Sequence, residues 1–286
     1  MALHWPTFFT RLGSAIVFSA IMMAGLLWNA WALLVLVTII TVLCLREFFR
    51  IMKAIYPEAT WPGWLMPATV AFSLLSLWLP PVAAWYSGLP ADIGMQKFLP
   101  PTLCILPVII LASSLSKKTA LFAGVTAIAA LCYILMPALM LYSMRLQSLL
   151  LPLALVLLIW MNDTMAYLVG SFIGRTPFST ISPKKTWEGT AGGAILTMAL
   201  AIAWGWYSEL FSLTDWAVLA ICASVAGTVG DLFESKLKRS AGVKDSGTMM
   251  PGHGGALDRF DSLLIATPFA FAYAYLFMEA LPIKVL

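Results

Sequence analysis

A chain of 286 residues that is 61% hydrophobic and only 10% charged, with a mean hydropathy of +0.91, cannot clothe itself as a soluble domain, because soluble domains carry roughly 25% charged residues. Its apolar content is spread from residue 14 to the end rather than filling one core, so lipid must be its solvent. The net charge of +4 is modest, and anionic lipid, nucleotide and membrane topology account for the basic loops without nucleic acid.

In chain order, runs able to cross about 30 Å of hydrocarbon as helix fall at 13 to 28, 30 to 45, 64 to 80, 99 to 116, 120 to 142, 149 to 172, 189 to 207, 214 to 234 and 262 to 281. The runs are continuous rather than alternating, and a helix satisfies its own backbone polar groups in lipid. The expected fold is therefore all-α, a polytopic membrane protein of about nine spans. Residues 1–150 read as an N-terminal transmembrane scaffold and 151–286 as the C-terminal catalytic region of one continuous membrane domain.

Numbering the spans segregates the charges. Arg11, Arg46, Arg50, Lys53, Lys117, Lys118, Arg175, Lys184, Lys185, Lys236, Lys238, Arg239, Lys244 and Arg259 share the side of the amino terminus, 14 of the 17 Lys and Arg. Lys97, Arg145 and Lys284 lie opposite. The positive-inside rule then puts the amino terminus and the basic loops in the cytoplasm and the carboxyl terminus outside. Ala30-Trp31-Ala32 imitates a signal-peptidase site, but the apolar run continues to Leu45 and cleavage is not expected. Cys44, Cys104, Cys132 and Cys222 stand singly within spans, without a C-x-x-C pair, and read as packing residues.

In the first half the acids are Glu47, Glu58 and Asp92, each at or beyond a span end, where a solvated or interfacial role is expected. Arg46 to Lys53 reads as an amphipathic interfacial anchor. Chemistry concentrates later. Asn162-Asp163 lies inside the sixth span, where an ionisable group costs on the order of 2.5–3.5 kcal/mol and should face a polar cavity or a partner. Tyr167, Gly170, Ser171 and Gly174 continue a small and polar stripe toward the cytoplasm. The next loop carries Ser182, Lys184 and Lys185, then Gly189 and Gly192-Gly193 where the seventh span begins. Lysines and backbone N–H groups there suit phosphate oxygens.

The densest constellation runs from 227 to 261. It holds Asp231, Glu234, Ser235, Lys236, Lys238 and Arg239, then Lys244 and Asp245, then Pro251-Gly252-His253-Gly254-Gly255, Asp258, Arg259 and Asp261. Asp231 closes the eighth span and Asp258 opens the ninth, on the same membrane side, and Asp258 and Asp261 share a helix face. Carboxylates without thiolate suit a hard cation such as Mg2+ rather than zinc. The glycines give backbone room beside the charges.

From Ser235 to Asp261 the chain resembles the signature of the bacterial phosphatidate cytidylyltransferases (CDP-diacylglycerol synthases), S-x-apolar-K-R-x4-K-D-x-small followed by P/G-x-H-G-G-x-x-D-R-x-D. N-D-T-M-A-Y-L-V-G and I-S-P-K-K-T-W-E-G upstream are also similar to that family, so the likeness covers roughly residues 155 to 265. Met250 and Ala256 depart from the pattern, in apolar size alone. The resemblance implies an enzyme of the bacterial inner membrane joining CTP and phosphatidate to give CDP-diacylglycerol and pyrophosphate, with its site facing the cytoplasm. It implies Mg2+, with a monovalent cation such as K+ beside it, and a homodimer. It implies Asp231, Asp258 and Asp261 as metal ligands, with Asp231, Asp258, Lys185, Lys238 and Arg239 central to catalysis. Asn162, Asp163, Ser182, Lys184, Lys185, Ser235, Lys238, Arg239, Lys244, Gly254, Gly255 and Arg259 would line the substrate site. His253 has two readings, bonding phosphate or holding the glycine loop.

Three rivals fit less well. A transporter would show discontinuous spans in repeated halves, whereas these acids crowd one face. The D-G-x2-A-R pattern of the CDP-alcohol phosphotransferases is absent. A purely structural membrane protein has no use for so many acids, lysines and glycines at one surface. Within the favoured class, a polyprenyl or archaeal lipid phosphate is the alternative substrate.

Overall fold

A computed structural model of the chain describes residues 5–90, 120–208, 210–250 and 254–278. The described residues are helical, without a β-strand, as the all-α expectation has it. The helices are α1 (Trp5–Leu27), α2 (Ala30–Ile55), α3 (Leu65–Tyr86), α4 (Ala120–Ala130), α5 (Met136–Gln147), α6 (Leu150–Ile173), α7 (Trp187–Ser208), α8 (Leu213–Ile221), α9 (Gly227–Ser240) and α10 (Leu257–Phe277). Single π-turns, Leu131–Leu135 and Cys222–Ala226, join α4 to α5 and α8 to α9 into longer rods. Seven of the resulting helices are long and apolar enough to cross a membrane, and the Leu12–Leu27 part of α1 is apolar as well. The expected run at 99 to 116 lies outside the described residues.

Contacts divide the chain into two compact units. The first comprises residues Met1–Leu146 and Ser240–Arg259, the second Gln147–Arg239 and Phe260–Leu286. In the first unit the turn between α1 and α2 is set by Asn29, whose Oδ1 accepts from Ala32 N at 2.8 Å and so caps α2. Gly25 lets α1 lie directly against Leu36. Leu33, Leu34, Val37, Cys44, Leu45, Phe48 and Phe49 form the buried face of α2. Trp78 of α3 donates to the Thr38 hydroxyl at 2.9 Å. The Thr69 and Ser73 hydroxyls turn back on their own helix, to Leu65 O and Thr69 O, both at 2.8 Å, which keeps them satisfied where no water can serve. Arg145 is buried at the end of α5 and donates to Leu26 O at the end of α1. Those two ends are ones that the charge count puts on the same side.

The second helix corrects an expectation. Residues 46 to 53 do not form a separate surface anchor but continue α2 without a break to Ile55. Glu47, Phe48, Phe49 and Ile51 are buried there, because Cys44, Glu47, Phe48 and Ile51 recur at helical spacing on the packed face.

The second unit rests on the crossing of α6 and α7. Lipid is as apolar as leucine, so helices associate in it through close packing. Ala166 and Gly170 on α6 meet Gly189 and Gly193 on α7, while Gly174, which caps α6, lies against Thr186. A Cβ on Gly193 would fall 2.7–2.8 Å from Ala166, and one on Gly189 2.8 Å from Ala166 O. The small stripe of α6 is thus divided, since Gly170 and Gly174 face α7 and its leading loop while Tyr167 and Ser171 are exposed. At the far end, a reciprocal cap between Ser212 and Asp215 starts α8, and Tyr273 of α10 donates to Asp215 at 2.8 Å.

Substituting Gly193→Val forces a branched side chain against the α6 backbone, and such overpacking costs about 1–3 kcal/mol. The thermal unfolding midpoint in detergent should fall clearly, while Gly13→Ala, with nothing within 4 Å of the added methyl, should leave it in place.

Candidate active site

In the second unit the loop from Gly174 to Thr186 is folded back on itself before α7 begins. Phe178 N donates to Lys185 O at 2.7 Å, Trp187 N to Thr176 O at 2.9 Å, and Lys185 N to Ser182 O at 3.1 Å. Glu188, in the first turn of α7, accepts from the backbone N–H groups of Arg175 and Thr176 at 3.1–3.2 Å. Thr186 Oγ1 accepts from Gly189 N at 3.1 Å. The start of α7 is therefore not an open row of donors. Gly189, Gly192 and Gly193 serve the packing on α6, meeting Ala166, Gly170 and Val169.

What this loop presents is Lys185. Its ammonium forms an ion pair with Asp231 of α9, with both side chains partly exposed. Ser235, one turn further, donates to Asp231 Oδ1 at 3.2 Å. Asp261 is buried, and its carboxylate lies within electrostatic reach of Asp231, Asp163 and Lys185. Gly230 makes this cluster possible, because a Cβ there would strike the backbone carbonyl of Asp261. Asn162 is buried, and its Oδ1 has no hydrogen-bond partner among the described residues, while the adjacent Asp163 is exposed. Lys238 is buried and paired with Glu234 at 2.6 Å, one helical turn apart. Lys184 and Arg239 are exposed. The second unit thus gathers Lys185, Asp231, Ser235, Asp261 and Asp163.

The first unit holds the other part of the signature. Asp258, in the first turn of α10, accepts on Oδ2 from Ser246 N at 2.8 Å, Ser246 Oγ at 2.9 Å and Gly255 N at 2.7 Å. Gly254 has φ of 84°, and a Cβ there would strike the Asp258 carboxylate. Lys244 and Arg259 are exposed. His253 lies outside the described residues.

Sequence reasoning missed Glu47. Its buried carboxylate accepts from Ser246 Oγ at 2.7 Å, Ala256 N at 3.0 Å and Leu257 N at 2.8 Å. One signal was present in the sequence: an acid at the spacing of the apolar stripe Cys44, Phe48, Ile51, where a solvated residue would not stand.

The chain is thus a polytopic helical membrane protein in which carboxylates of α9 and α10 stand beside a loop lysine. The chain is a member of the cytidylyltransferase family, whose model matches residues 9–277. It is 47% identical over 116 residues to a chloroplast phosphatidate cytidylyltransferase of Arabidopsis thaliana, covering 39% of this chain and 29% of that protein. It is 45% identical over 121 residues to the phosphatidate cytidylyltransferase of Bacillus subtilis, covering 42% of this chain and 45% of that one. With that of a Synechocystis strain it shares 41% identity over 125 residues, 43% and 42% of the two chains. The chain spans less than half the length of these curated relatives.

Glu188→Gln removes the charge that gathers the two loop N–H groups. Trypsin should then cut after Arg175 and Lys185 faster than in the parent, with the helical remainder intact on a gel. Equal cutting rates would show that the loop does not depend on this carboxylate.

Proposed function

We propose that the protein is a phosphatidate cytidylyltransferase of the cytoplasmic membrane, converting CTP and phosphatidate to CDP-diacylglycerol and pyrophosphate. The observation that carries this reading is the Lys185–Asp231 pair beside Asp261 and Asp163, in a chain of the cytidylyltransferase family. The names borne by the relatives support it. A phosphate oxygen of the lipid attacks the α-phosphorus of CTP, and the bond to the β-phosphate oxygen breaks to release pyrophosphate. The lipid brings its own nucleophile, so no side chain need form a covalent intermediate.

Lys185 is held beside the acids by its ion pair and by the folded loop behind it. An incoming phosphate competes with Asp231 for the ammonium and frees the carboxylate in the same step. Asp231, Asp261 and Asp163 are hard oxygen donors within one electrostatic neighbourhood. That chemistry fits Mg2+, which needs only one or two carboxylates alongside substrate phosphates and water, and the described residues hold no closed cage of three or more ligating side chains. When bound, the ion supplies positive charge to the phosphate oxygens and the leaving pyrophosphate. Asp231 and Asp261 are the proposed ligands in this unit. Asp258 is proposed as another on the family resemblance, alongside its bonds to Ser246 and Gly255. Lys184, Lys238, Arg239, Lys244 and Arg259 are proposed to meet phosphate or headgroup charge at the cytoplasmic face.

Purified protein given labelled CTP, phosphatidate and Mg2+ should form a CDP-lipid, and failure to do so ends this reading. Lys185→Gln removes a charge-assisted hydrogen bond worth about 1.5–3 kcal/mol, so kcat/KM should fall roughly ten- to a hundred-fold. Orientation should not change, because the remaining basic loops still hold the topology. Wild-type efficiency in the correctly inserted variant would return Lys185 to a purely topological role. Cysteine labelling should find position 184 cytoplasmic and position 284 external, and labelling of both from one side would refute the orientation.

A further inference from the structure

We propose that Glu47 is a positioning residue that fixes Asp258 and the glycine loop before it, an inference that rests on the cytidylyltransferase reading above. Glu47 lies near the end of α2, about two hundred residues before the loop it grips, and nothing in the signature includes it. Its carboxylate receives the N–H groups of Ala256 and Leu257. These belong to the entry of α10, where the first turn has no intrahelical acceptor. Glu47 thus caps a helix from a distant part of the chain, and a carboxylate at that position is also favoured by the helix dipole.

The same carboxylate reaches the other arm of the loop. Ser246 Oγ lies 2.7 Å from Glu47 Oε2 and 2.9 Å from Asp258 Oδ2, and it accepts from Asp258 N at 3.3 Å. A hydroxyl has one proton, so Glu47 and Asp258 share a single donor and their positions are linked through it. Arg50, one turn along α2, donates to Ser246 O. Glu47 and Arg50 therefore hold Ser246 from its side chain and its backbone.

The glycines supply an independent sign that the loop is shaped around this carboxylate. A Cβ on Gly247 or on Gly255 would strike Glu47 itself. Gly247 and Gly255 have no need of an unusual φ, since among the described glycines only Gly88, Gly242 and Gly254 have positive values. Their small size gives the Glu47 carboxylate its room.

Glu47→Gln tests the proposal, because an amide keeps the shape but turns an NH2 toward a backbone N–H or the serine. The variant should be compared with Glu47→Asp, Gly255→Ala and the exposed control Glu58→Gln in two measurements. Hydrogen exchange of the peptide covering residues 254–260 should quicken at least tenfold in Glu47→Gln and Gly255→Ala, with α2 and α3 still protected. Synthesis of CDP-lipid from CTP and phosphatidate should lose ten- to a hundred-fold in kcat with KM nearly unchanged. Glu47→Asp, which keeps the charge one methylene short, should recover part of both, and Glu58→Gln should match the parent. Parent-like exchange and kcat in Glu47→Gln would overturn the proposal. So would loss of protection spread evenly over α2, α3 and α10, which marks a merely structural residue. If Glu47→Gln does not fold, Gly255→Ala decides by the same two readings. A parent protein that makes no CDP-lipid would defeat the functional reading, while the exchange measurement would still decide whether Glu47 holds the loop.

Discussion

Two carboxylates and the backbone N–H groups turned toward them fix the entry of α10. Glu47 takes the N–H groups of Ala256 and Leu257, Asp258 takes those of Ser246 and Gly255, and one serine hydroxyl lies between. Burying a carboxylate is costly unless donors replace its water. These donors replace it, and in exchange the loop loses the freedom its glycines would otherwise give. At Gly247 and Gly255 the small residues are what allow the main chain to approach the Glu47 carboxylate so closely.

The second unit reaches a similar end by different means. Lipid offers helices no hydrophobic reason to associate, so α6 and α7 meet through Ala166, Gly170, Gly189 and Gly193. That contact carries the loop before α7, tied down by Glu188 and Thr186, and the loop in turn carries Lys185 to Asp231. A second close approach, at Gly230, brings α9 against the backbone of Asp261. Packing of small residues therefore determines where the charges meet.

Most of the architecture was legible in the chain because a span must be long, continuous and apolar, and those properties survive without knowledge of neighbours. Seven of the expected runs correspond to membrane-length helices and the first falls within α1. Asp231, Lys185 and Asp261, which the structure brings together, were singled out in the sequence because charge near a span end needs a reason. Glu47 was not recognised, since a lone acid at a helix end is ordinarily solvated and its partners lie about two hundred residues away. Nor could the sequence reveal that residues 240–259 pack with the amino-terminal half. The glycines of α7 were read as a phosphate cradle because glycine at a helix start serves packing and anion binding alike, and only the position of α6 separates the two.

The two kinds of charge interaction differ in how readily they yield. Glu47 and Asp258 are bonded chiefly by backbone groups, which cannot leave without dismantling the entry of α10. The Lys185–Asp231 pair joins two partly exposed side chains, one on a long flexible stem, and either can rotate away without disturbing a helix. On the proposed reading, a polyanionic substrate would compete for the second kind and not for the first.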